Sequence, residues 1–111
     1  MTQEKTKQAA PVLDNAHKKR LRALGHELRP LVLIGKAGAD ETLVASADAA
    51  LKSHELVKVK LERNAPLARE EAARLLTQAL NAALVQQIGR TFLLYRPNPD
   101  LPPGRRITLA P

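Results

Sequence analysis

The sequence predicts a compact α/β domain of order α-β-α-β-α-β-β, a mixed four-stranded sheet packed with three helices. Three observations point there. Apolar residues recur at helical spacing in three segments, each followed by a short apolar or alternating run. The last two runs are separated only by Gly89-Arg90, the length of a tight hairpin turn. And 111 residues leave room for a single domain. Helical crossovers favour parallel pairing and the closing hairpin must be antiparallel, so the sheet is expected to be mixed.

Residues 1–12, rich in Gln, Lys and Thr, read as a flexible tail. The first helix is expected from about Asp14 to Leu28, with Leu21, Leu24 and Leu28 on its apolar face. Arg29-Pro30 ends it, because a residue before proline disfavours the α conformation. Leu31 to Ile34 is apolar without alternation, which predicts a strand buried on both faces and central in the sheet. The second helix, about Asp40 to Ser53, has Asp40 as N-cap and a stripe of Leu43, Val44, Ala47, Ala50 and Leu51.

Strand two, Glu55 to Leu61, alternates Val57, Val59 and Leu61 with Lys58 and Lys60, giving one apolar and one basic face. Asn64 and Pro66 signal the start of a third helix running to about Ala82, with Ala72, Leu75, Leu76, Ala79 and Ala83 inward. The hairpin strands are Leu84 to Ile88 and Thr91 to Tyr95. Residues 98–111 form a proline-rich extension, in which Arg105 to Leu109 alternates weakly enough to suggest a short edge strand.

Composition narrows the function. The formal charge is +7, with 18 lysines and arginines. The excess is uneven: residues 17–38 hold six cations against Glu27, whereas residues 39–51 hold only Asp40, Glu41 and Asp48. Such asymmetry favours a polyanionic partner. Phe92 and Tyr95 are the only aromatics, so a base-stacking platform is excluded and phosphate and sugar contacts are expected. Cysteine is absent, which removes disulfides and thiolate chemistry and fits a reducing compartment. The polar start and the lack of a long apolar run predict a soluble cytoplasmic protein.

Gly35-Lys36-Ala37-Gly38 carries the most specific signal. It falls where a strand runs into a helix, with two glycines letting the main chain approach a ligand and Lys36 adding a mobile charge. Lys18, Lys19, Arg22 and Arg29 on the first helix, Lys58 and Lys60 on strand two, and Arg90 and Arg96 flanking the last strand are the further candidate RNA contacts. Each has a plainer reading as a solvated charge.

Catalysis finds no support. There is no nucleophile elbow, no His-x-x-x-His and no P-loop spacing around Lys36. Glu70-Glu71 reads as a pair of first-turn helix charges. No cofactor and no metal are expected, and neither His26 nor His54 has a second ligand type at metal spacing.

Three blocks in order resemble one family. They are Leu21 to Gly38 (LRALGHELRPLVLIGKAG), His54 to Lys60 (HELVKVK) and Val85 to Pro97 (VQQIGRTFLLYRP). Together they resemble the CRM domain, for chloroplast RNA splicing and ribosome maturation, whose bacterial stand-alone members are YhbY-like. The resemblance places a CRM-like domain at residues 13–97. It implies a fold similar to the C-terminal domain of translation initiation factor three, with an added N-terminal helix. Its GxxG loop maps onto Gly35 to Gly38. It implies a monomeric, non-enzymatic partner of ribosomal RNA in a large-subunit precursor. Another structured RNA (a transfer RNA, small RNA or intron) and a protein adaptor using the apolar and acidic surface of helix two stay open beside it.

Overall fold

The computed structural model describes residues 10–109; most of the tail expected at residues 1–12 therefore lies outside the described residues. Three helices and four strands follow in the expected order: α1 (Asn15–Gly25), β1 (Val32–Ile34), α2 (Glu41–His54), β2 (Leu56–Leu61), α3 (Arg69–Leu80), β3 (Ala83–Ile88) and β4 (Thr91–Tyr95). The sheet order is β1-β2-β4-β3. The α2 crossover makes β1 and β2 parallel, while β4 inserts antiparallel between β2 and β3.

The helices divide the sheet into two unequal faces. Val57, Val59 and Leu61 of β2, with Phe92 and Leu94 of β4, point to α2 and α3 and form the main core. Leu56, Leu93, Tyr95 and Val85 point the other way and are covered by Leu21 of α1. α1 is too short to cover that whole face. Leu33 and Ile88 remain 56% and 66% exposed beyond it.

Several expectations need correction. β1 is an edge strand, not a central one: Val32 and Ile34 are buried, but Leu31 and Leu33 face out. Its uninterrupted apolar run therefore does not reflect two-sided burial. α1 stops at Gly25, three residues early, because the chain passes tightly over β4 there. A Cβ on Gly25 would lie 2.5 Å from Leu93 Cδ2.

α3 begins at Arg69 because Asn64–Leu67 is spent on a turn after β2, and Ala68 caps it with no side-chain bond. Its inward face holds Ala72, Ala73, Leu76 and Leu80, while Ala79 is exposed. The C-terminal extension has a single 3-10 turn, Pro103–Arg105. Residues 106–109 run extended without strand pairing. Ile107 and Leu109 pack instead on the α1 cluster.

Candidate nucleic-acid interface

The Gly35–Gly38 segment is a tight turn closed by Gly38 N–H donating to the Gly35 carbonyl at 2.9 Å. Gly38 has φ +73°, a region where side chains are strained, and a Cβ there would sit 3.4 Å from Pro66 Cγ. Gly35 differs: a Cβ would meet nothing within 4 Å. The turn thus needs one glycine for its backbone and leaves open space at the other. Lys36 and Ala37 are exposed at its tip.

The helix following the turn does not present a bare N-terminus. Asp40 accepts a hydrogen bond from Leu43 N–H at 2.9 Å, and Glu41 adds charge in the first turn. These carboxylates satisfy the helix and offset its dipole. The attraction for an anion at this place rests on Lys36 and its neighbours.

Parallel pairing supplies those neighbours. Ile34 is paired with Leu61, and Glu62 N–H donates to the Ile34 carbonyl at 2.8 Å, so β1 and β2 end side by side. A depression at this loop end is lined by Lys60, Glu62, Arg63, Asn64, Arg90 and Thr91. Arg90 shapes it: its guanidinium donates to the Leu61 carbonyl at 3.1 Å and the Glu62 carbonyl at 3.0 Å, pinning the turn after β2. Lys36, Lys60 and Arg63 have no ion-pair partner among the described residues. Arg63 escaped the sequence reading. It follows β2 directly, and a parallel β1–β2 pair would have placed it beside the loop.

The remaining candidates scatter. Lys18 and Arg22 lie one turn apart on a flank of α1, with Lys19 outward from them. The opposite flank carries Arg20, which donates to the Thr108 carbonyl at 2.8 Å. Arg29 and Lys58 border an apolar groove between α1 and β2. Arg96 is structural: it donates to the carbonyls of Leu80 at 2.9 Å and Asp48 at 3.2 Å, and pairs with the Asp48 carboxylate at 2.9 Å. With its side chain only 13% exposed, Arg96 ties β4 to α2 and α3. Burial raises the pKa of the Asp48 carboxyl, but Arg96 and Lys52 together outweigh burial and hold it below its ordinary value.

At the far end of the sheet lies Glu55, fully buried and at φ 64°. Its carboxylate accepts from Asn98 N–H and from Ile107 N–H at 2.6 Å, and Arg106 pairs with it at 3.3 Å. It fastens the C-terminal strap. Burial, and then the Glu55 carboxylate, push the Tyr95 hydroxyl above its ordinary pKa, against a smaller opposing pull from Arg106. Among the described residues no group of side chains is arranged to hold a metal ion. Among the described residues no helix is long and apolar enough to cross a membrane.

A glycine turn at the end of an edge strand, beside cations without ion pairs among the described residues, on a mixed α/β sheet, defines a class of small basic α/β domains. Within that class, this chain belongs to the CRS1 / YhbY (CRM) domain family, whose model matches residues 13–96. It is 38% identical over 91 residues to a probable RNA-binding protein of Pseudomonas aeruginosa, covering 78% of this chain and 84% of that one. An RNA-binding protein of Haemophilus influenzae is 34% identical over 88 residues, covering 79% and 89%. The solution structure of a hypothetical protein from Staphylococcus aureus superposes with a TM-score of 0.66 at 35% identity, covering 77% and 88%.

Proposed function

We propose that this chain binds RNA through the loop end of its sheet. Lys36 and the Gly35–Gly38 turn sit on the backbone there, and Lys60 and Arg63 hold neighbouring phosphates. The observation that carries the reading is the convergence of these cations, free of ion pairs among the described residues, around an exposed glycine turn. Family membership and the names of the relatives support it. Lys18, Lys19 and Arg22 extend the basic surface along α1. With Phe92 and Tyr95 buried, recognition is by RNA shape and backbone rather than by stacked bases. The target is ribosomal RNA in a precursor of the large subunit, bound by a cytoplasmic, non-enzymatic monomer.

The test is crosslinking and sequencing of RNA bound in cells, with the wild type beside Lys36→Glu. Reads concentrated in large-subunit ribosomal RNA and depleted in the variant are expected; reads scattered over other RNAs reject the target. In vitro, Lys36→Glu is expected to weaken binding about tenfold or more. Neutralising about five phosphates implies a log–log salt slope of roughly −3.5 to −4.5. A flat salt response rejects the electrostatic mechanism.

A further inference from the structure

β2 spans roughly 16 Å at about 3.3 Å per residue, so its two ends serve separate surfaces. At the end away from Lys36, a groove of about 410 Å³ opens between α1 and β2. Its aliphatic lining is Leu24 and Leu28 of the α1 side, Leu31 and Leu56 of the sheet, and Ile107 of the strap. Leu28 is 38% exposed and Leu31 56%. A second depression shares Leu28 and Lys58 and continues the groove along the open sheet face toward Ile88. Leu28, Leu31 and Ile88 thus leave aliphatic surface uncovered along one face.

We propose that this groove docks a short protein segment whose aliphatic residues are flanked by carboxylates. The aliphatic lining offers nothing to a phosphate, and with Phe92 and Tyr95 buried the His54 imidazole at the edge of the groove is a single ring, too little for a stacking platform. The rim selects the charge of the occupant. Arg29 and Lys58 border the groove, and neither has an ion-pair partner among the described residues. A second copy of this chain is the wrong partner. Two-fold pairing through the groove would set these cations against their counterparts, on a chain already at +7. Two adjoining depressions that share Leu28 and Lys58 suit a chain segment better than a compact small molecule. Lys60 and Thr91 border both the second depression and the loop end, but no residue of the Gly35–Gly38 turn lines the groove.

The experiment pans a phage-displayed library of random dodecapeptides against the full chain, then maps a selected peptide by amide chemical shifts. The expected selection is enriched in Leu, Ile or Val beside Asp or Glu. Its shifts concentrate at Leu24, Leu28, Leu31, Leu56 and Ile107. The double variant Arg29→Glu/Lys58→Glu, and separately Leu31→Asp at its exposed site, are expected to weaken the peptide about tenfold. Lys36→Glu leaves peptide binding unchanged, which separates this surface from the RNA site. The proposal is overturned by a library that yields no binders or no acidic preference. Shifts mapping elsewhere overturn it too, as does a ribosomal RNA hairpin that displaces the peptide and moves the same amides.

Discussion

At the loop end of the sheet, Lys36, Lys60 and Arg63 stand without ion-pair partners among the described residues. At the far end, Arg96, Arg105 and Arg106 are spent on the protein itself, on the carbonyls of Leu80, Asp48 and Ser53 and on the Glu55 carboxylate. Both ends are basic in sequence. They differ in what the backbone offers. Helices α2 and α3 finish at the far end, leaving carbonyls that guanidinium groups can satisfy. The loop end gathers strand ends and a glycine turn, and there Arg90 and Arg69 are the arginines that donate to carbonyls, those of Leu61, Glu62 and Gly89, among the described residues. Charge becomes available to a ligand where the fold has no use for it.

Glu55→Gln breaks the comparison hardest. A glutamine keeps the shape but has one oxygen for two donors, so its NH2 must face the N–H of either Asn98 or Ile107. A loss of about 2–4 kcal/mol in urea unfolding is expected, with the strap released. Arg96→Met, at a side chain 13% exposed, strands the Leu80 carbonyl and removes one partner of the Asp48 carboxylate, and is expected to cost about 1–3 kcal/mol while leaving RNA affinity unchanged. A drop in RNA affinity at wild-type stability would return Arg96 to the interface.

The same variant tests acid stability. The Asp48 carboxyl is held below its ordinary value of 3.8, so its contribution is complete above that value and fades as pH falls through the lower folded value. Arg96→Met is expected to flatten this acid limb in a pH series of melting curves. The smallest effect is the sharpest contrast. Gly38→Ala forces a side chain to φ +73° against Pro66 and should cost about 1 kcal/mol, whereas Gly35→Ala, with open space around it, should leave the melting temperature nearly unchanged. Equal effects at both glycines would mean that the turn relaxes around either one.

Element order and type were legible because the periodicities of α1, α2, β2 and the hairpin are strong. Leu43 to Leu51 and Val57 to Leu61 lie on the faces their spacing implies. Strand position was not legible. Leu31 to Ile34 reads as a doubly buried strand, since sequence records that Leu31 and Leu33 are apolar but not that the sheet stops there. The extension fails for a related reason. Ile107 and Leu109 alternate as a strand would and do bury, yet the main-chain partner of Ile107 is a side chain 52 residues away. The glycine turn was legible as geometry. The split between free and committed arginines was not, because a carbonyl acceptor leaves no mark in sequence.

The short edge strand carries one more consequence. β1 has three residues and a single ladder, to β2, while β2 and β4 are each paired on both sides. Its amides are expected to exchange with solvent through local opening, well before those of β2 and β4, which need global unfolding. The Gly35–Gly38 turn hangs from this least protected strand. Lys36 is thus mounted on a hinge that can yield and re-form around an irregular ligand while the rest of the sheet stays closed.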